Sequence, residues 1–273
     1  MTQGFLQHAL IDGLLASIGC GIVGTYVYVK RITFLAGGIS HTVLGGMGVA
    51  YFLGAAPMGG ALVAAVLAAL IIGWVNLRLH QHEDTLIGAL WAIGMAIGVV
   101  FIARTPGYNL DLMSFLFGNI LMVPTERLYL TAAIDGVIAL VAMAFYKQFL
   151  AVCFDAEFAR LRGVPVEFFY LLLLCMVALT VVLLIQVVGL ILVIALLTLP
   201  AAIAAQYVGT LVRMMVLATL LGMVFTSGGL ALSFALDLPS GAIIVLCAGG
   251  AYLTSLGISG LRRSWRVHAR RPV

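Results

Sequence analysis

The chain has 273 residues, of which 64% are hydrophobic and 9% charged. Soluble domains carry about 25% charged residues, so no separate soluble domain fits, and the composition is that of an all-α, polytopic helical membrane protein. The net charge of +4 does not point to nucleic acid, because the bases cluster in short loops and at the C-terminus, where they act as topology signals.

The N-terminal stretch MTQGFLQHALIDG lacks the basic segment that opens a cleaved signal peptide. Nine apolar spans are expected, at 5–29, 39–54, 57–77, 85–103, 125–146, 166–187, 189–207, 213–236 and 240–260. The apolar run 166–205 is too long for one crossing, and Gly189 is its expected break. Merging one pair would give eight spans and reverse the N-terminus. Residues 109–123 form an amphipathic extra segment, and nothing reads as a strand. Ser17 and Gly21, and Gly94 and Gly98, have the four-residue spacing that lets helix backbones approach closely. Gly45, Gly46 and Gly48 would either do the same or unwind the second span.

The basic residues test this layout. With the loop around 153–165 placed in the cytoplasm, the N-terminus lies outside and the C-terminus inside. Twelve of the fourteen Lys and Arg residues then face the cytoplasm, and only Arg104 and Arg127 fall outside. That is the bias of the positive-inside rule.

The chemistry-bearing motifs are few. Gly19-Cys-Gly21-Ile-Val-Gly24 spells GxGxxG, but it sits inside an apolar helix without the preceding strand or the later acid of a dinucleotide site. There is no P-loop and no HExxH, so the chain carries neither a nucleotide motif nor a zincin site of its own. The cysteines Cys20, Cys153, Cys175 and Cys247 form no CxxC, and neither a disulfide framework nor a zinc cluster follows from them.

Polar residues inside spans are costly and so informative. His41 lies near the start of the second span; a neutral imidazole is a common metal ligand and equally an ordinary interhelical hydrogen-bonding group. Asp135 would be a pathway carboxylate or half of a buried pair, and Asp12 lies close enough to the outer end to be merely interfacial. His80-Gln-His82-Glu-Asp84 is the densest ligand-type cluster, with a solvated loop and Asp84 as helix N-cap as its plainer reading. Asp111 and Asp237 would guard the outer mouth, or serve as turn and cap residues.

Cys153–Pro165 is a well-charged island between long apolar runs. Asp155 can cap a short helix, Glu157 lies in its first turn, Arg160 and Arg162 in its last, and Gly163-Val-Pro165 ends it. A short polar helix between two spans suits contact with a soluble partner.

Several stretches together resemble the permease subunits of bacterial ABC importers for zinc and manganese. They are Ile39–Gly46 (ISHTVLGG), Asp111–Leu121 (DLMSFLFGNIL), Phe154–Val164 (FDAEFARLRGV) and Val188–Ala202 (VGLILVIALLTLPAA), joined by Asp84–Gly88 (DTLIG) and Asp237–Gly241 (DLPSG). The resemblance spans nearly the whole chain. It implies a single transmembrane permease domain over residues 1–273, with the ABC importer permease fold of the vitamin B12 and metal-chelate permeases, in a bacterial cytoplasmic (inner) membrane. It implies a homodimer of two permease copies, two cytoplasmic ABC ATPase subunits that bind the ATP, and an extracytoplasmic protein that delivers Zn2+ or Mn2+. It places His41 on the metal path or its gate; Asp84, Asp111, Asp135 and Asp237 are further candidates read from the residues themselves. It makes residues 155–163 the coupling helix, with Asp155, Glu157, Ala159, Arg160 and Gly163 at the ATPase and Ala159 small enough for close approach. The chain itself would bind no cofactor. One departure stands out: the family usually has an Asp four residues before this His and often Pro-Gly after it, whereas here those places hold Gly37 and Gly45-Gly46. A permease or channel for a non-metal or chelated substrate is the other reading of the same scaffold.

Overall fold

The structure, a computed structural model, describes residues 2–79, 83–105, 125–190 and 193–268. Among these residues it is all helix and turn, without a strand. The helices are α1 (Thr2–Lys30), α2 (Thr33–Phe52), α3 (Pro57–Leu79), α4 (Glu83–Arg104), α5 (Thr125–Ala144), α6 (Tyr146–Phe154), α7 (Ala156–Leu161), α8 (Val166–Val188), α9 (Val193–Tyr207), α10 (Leu211–Leu236) and α11 (Ser240–His268). The amphipathic stretch 109–123 lies outside the described residues.

Each tight connection has a local cause. The α1–α2 turn passes through Arg31 at φ 61°, the α2–α3 turn through Gly54 at φ 70°, and α10 ends on Asp237 at φ 53°. Pro57 opens α3, where its missing N–H is no loss. Ser233 donates its hydroxyl hydrogen to the Leu238 carbonyl across the α10–α11 turn.

Six helices (α1, α3, α4, α8, α10 and α11) are long and apolar enough to cross a membrane, and the pair α5–α6 makes a seventh if read as one span bent by 75°. By that measure the expected nine spans are not reached, and the shortfall lies in α2 and α9. Helix α2 has 20 residues, but Ser40, His41, Thr42 and its glycines dilute its hydropathy. Helix α9 has 15 residues, about 22 Å at 1.5 Å per residue, against a hydrocarbon core of about 30 Å.

Gly189 is the break, as expected. It ends α8 at φ 82° and ψ 166°, a backbone conformation open to glycine and strained for other residues. Contacts with α1 and α2 fix the depth at which α9 begins. Thr180 of α8 lies against Gly19, so the end of α8 points toward the start of α1. Helix α9 begins elsewhere: Ile194 packs on Gly37, and the Leu197 carbonyl sits against Gly24, two glycines that flank the α1–α2 turn. The chain therefore leaves α8 near one face and re-enters helix well inside the bundle. Gly189 and Leu190 are buried, which is the condition under which non-helical backbone survives at membrane depth.

Helices α1 and α8 are the most enclosed of the long spans, while α4 and α11 are largely exposed. Exposed Leu140, Met143, Val224, Leu246 and Leu253 form the kind of surface a bilayer covers. Polar side chains inside the bundle turn back onto their own helices. Ser17 donates to the Gly13 carbonyl, Thr25 to Gly21 and Thr180 to Met176, while Ser17 and Thr226 meet across α1 and α10 at 3.3 Å.

Glycine contacts set the closest helix pairs. An added Cβ at Gly45 would lie 2.7 Å from the Gly94 carbonyl oxygen, and one at Gly48 2.7 Å from that of Gly98. Gly46 and Gly60 abut in the same way between α2 and α3. The glycines of α2 therefore serve packing, and the helix stays continuous through them. Gly98→Val should lower stability by about 1–3 kcal/mol, since its Cβ would meet backbone that cannot yield. Thermal unfolding in detergent checks this, with Gly88→Ala as the control, because nothing lies within 4 Å of a Cβ added at Gly88.

Candidate functional site

His41 sits on the face of α2 turned to α4. Its ring stacks on the Trp91 indole, with centroids 3.9 Å apart and planes within 10°. The side chain is 8% exposed, and its Nδ1 is buried with no hydrogen-bond partner among the described residues. An imidazole held flat by an aromatic neighbour, with an uncommitted ring nitrogen, is equipped to accept a metal ion or a proton. The interhelical hydrogen bond that was the plainer expectation for His41 is not made at Nδ1.

One turn before His41, Gly37 marks where the resemblance places an Asp. A Cβ here would lie 2.8 Å from Ile194 Cδ1 and 3.6 Å from Trp91. The atom nearest that Cβ is the end of the Ile194 side chain, in the first turn of α9, so a carboxylate here requires Ile194 to shift. The missing Asp and the inward start of α9 are thus two sides of one packing arrangement.

The other sequence candidates are scattered. Asp84 is exposed in the first turn of α4, inside the helix rather than at its N-cap, with an acid well placed against the helix dipole. Asp237 is exposed at the left-handed end of α10. Asp111, His80 and His82 lie outside the described residues. Asp135 is 4% exposed, and its carboxylate has no hydrogen-bond partner among the described residues. It lies between α1 and α5 against Gly19, within electrostatic range of Asp12. Asp12, expected near the outer end of its span, is 0% exposed, enclosed by the bundle. Among the described residues, no three His, Cys, Asp or Glu side chains converge as a metal cage. A cavity of about 480 Å³ between α2, α3 and α4 is walled by Gly, Ala, Val, Leu and Ile, with Thr42 its only polar residue, and offers a metal nothing.

The island at 153–165 is more orderly. Cys153 and Phe154 close α6, and Asp155 caps α7 by accepting from the Phe158 N–H at 2.9 Å. Glu157 lies in the first turn and Arg160 in the last. Arg162 lies over the Phe158 ring at 5.2 Å, and Gly163 turns the chain at φ 75°. Ala159 is the exception to the expected arrangement. It is 0% exposed, part of the main core rather than of a free surface, so its small size serves the seating of α7 on its own bundle. The outward residues are Phe158, 50% exposed, and Leu161, 87% exposed. The charges single out this helix in the sequence; Trp91 and Ile194, which shape the His41 site, carry no local sequence signal.

The crowding at Gly37 can be tested directly. Gly37→Asp alone should cost about 1–3 kcal/mol of stability by overpacking. Adding Ile194→Ala should recover most of it and tighten Mn2+ binding, read as quenching of tryptophan fluorescence. Equal melting of the single variant and the parent would refute the account of the missing Asp.

Comparison with known proteins places this geometry. The model of the ABC 3 transport family matches residues 2–259. A membrane protein of Synechocystis is 48% identical over 252 residues, 92% of this chain and 90% of its own. A manganese transport system membrane protein, MntC of Halalkalibacterium halodurans, is 34% identical over 270 residues, covering 97% of this chain and 92% of its own. The solved structure of PsaBC from Streptococcus pneumoniae in complex with Fab superposes with a TM-score of 0.83 at 34% identity, covering 92% of this chain and 90% of that one. The chain belongs to the ABC 3 transport family.

Proposed function

We propose that this chain is the membrane-spanning permease subunit of an ATP-driven importer of divalent transition metal ions. The observation that carries this reading is the family match over residues 2–259, joined to relatives named for manganese transport at 34% and 35% identity. Those names make Mn2+ the first cargo to test, with Zn2+ beside it, and weigh against a non-metal substrate. The chain is a transport subunit; ATP hydrolysis belongs to a separate ABC ATPase, and a substrate-binding protein supplies the metal. On this reading two permease copies flank one path in a bacterial cytoplasmic membrane, with the N-terminus outside, the C-terminus inside, and nine crossings that count α2 and α9.

The metal enters from the extracytoplasmic side and passes His41. A stacked imidazole with an uncommitted nitrogen replaces part of the ion's water shell, and among the described residues no full cage forms to hold the ion. That balance suits passage, since binding must be strong enough to enter and weak enough to leave. The break at Gly189 gives α9 a joint at its buried end. Helix α7 links this movement to the ATPase through Phe158 and Leu161, with Arg162 charged beside them. Apolar side chains seated in a partner's groove carry most of the binding energy at such contacts.

The permease, the ATPase and the binding protein, reconstituted together in proteoliposomes, test this with ATP-dependent Mn2+ or Zn2+ accumulation. His41→Ala should cut accumulation about tenfold or more, the scale of losing a metal-site contact, with the ATPase still bound. Leu161→Asp should lose the ATPase on co-purification while the permease still inserts. Normal uptake by His41→Ala at limiting metal would remove His41 from the path. Full ATPase recovery with Leu161→Asp would remove α7 from the docking role.

A further inference from the structure

A second polar site lies beneath α7. A cavity of about 430 Å³ opens between the ends of α1, α3 and α8 and the inner side of α7. Three bases line it: Lys30 at the end of α1, Arg31 in the α1–α2 turn and Arg160 on α7, against one acid, Glu157. The remaining wall is mixed, with Leu77, Val152 and Val166 beside Asn76 and Tyr170. Its size is that of a small-molecule pocket.

Two features set it apart from a solvated charged face. Lys30 is anchored, donating to the Val152 carbonyl at 2.9 Å, and an ammonium keeps two further donors for a ligand. Arg31 is held at φ 61°, a left-handed conformation that costs a non-glycine residue on the order of 1 kcal/mol. Glycine would sit there without strain, yet the position carries a guanidinium that lines the cavity.

The position selects the ligand. Lys30 ends one span, Leu77 lies in the last turns of a second, and Val166 begins a third. The cavity is therefore at the depth of lipid headgroups, with bases for a phosphate and aliphatic walls for the glycerol and acyl roots. The outward face of α7, with Phe158 and Leu161, is not part of it. We propose that this cavity binds the phosphodiester headgroup of an anionic phospholipid, bridged by Lys30, Arg31 and Arg160. The lipid thereby ties α7 to the ends of three spans. The side of the membrane it occupies depends on the transport reading above; the binding itself does not.

The test uses the purified permease alone, so its outcome is independent of metal transport and of the ATPase. The protein is exposed to mixed micelles holding equal phosphatidylglycerol and phosphatidylcholine, and retained lipid is counted by native mass spectrometry. The wild type should retain phosphatidylglycerol preferentially. Arg31→Gly should lower that preference about fivefold, the effect of one base near an anionic surface, while melting no lower than the parent because the backbone strain is relieved. Arg31→Lys should keep most of the preference. Equal retention of both lipids by the wild type, or an unchanged preference in Arg31→Gly, would overturn the proposal. So would displacement of the lipid by millimolar inorganic phosphate, which would assign the cavity to free phosphate. Loss of ATPase co-purification by Arg31→Gly with the lipid preference intact would assign it to a carboxylate of that subunit instead.

Discussion

Without side chains at Gly45, Gly48, Gly94 and Gly98, the backbones of α2 and α4 meet directly, and this contact fixes the geometry of the candidate site. In a bilayer, lipid tails are as apolar as leucine, so helices gain little by burying hydrophobic surface against one another. Close packing of small residues supplies the association instead. At this spacing His41 and Trp91 face each other, and the imidazole has nowhere to lie but flat on the indole. Wider helices would leave the ring free to turn toward a backbone carbonyl. The narrow interface therefore keeps one ring nitrogen uncommitted.

The start of α9 depends on the same arrangement. Helix α9 begins inside the bundle, and Ile194 packs on Gly37. The cost is buried non-helical backbone at Gly189 and Leu190, met by enclosure within the protein. Helix α9 packs on α1, α10 and α11, so its short length does not separate it from the long spans. Helix α7 is seated on the bundle through Ala159, and Gly163 turns the chain after it.

Much of the fold was legible because membrane helices announce themselves. Long apolar runs, turn residues and the segregation of bases placed the helices α1, α3, α4, α8, α10 and α11 and the break at Gly189. The cap at Asp155 and the turn at Gly163 follow local rules and were as expected. What escaped depends on non-local packing. Hydropathy alone does not fix where a helix begins, so the expected span 189–207 is realised as a 15-residue helix at Val193–Tyr207. Nor could the sequence reveal that Ala159 faces inward, since six residues of helix carry too little pattern to orient it. Asp12 looked peripheral by its position and is enclosed. Trp91 is one aromatic among many until α4 is laid against α2. The family's missing Asp was legible as Gly37, but the side chain that packs on it, Ile194, sits on a helix more than 150 residues away.

The central claim is that a transported metal ion contacts His41. Anomalous diffraction from crystals of the permease with its ATPase and Mn2+ measures this most directly. The account predicts an anomalous peak at ordinary coordination distance from the His41 imidazole, about 2.0–2.3 Å, with Trp91 still stacked beside it. A peak elsewhere along the bundle, with His41 unliganded at saturating metal, would contradict it.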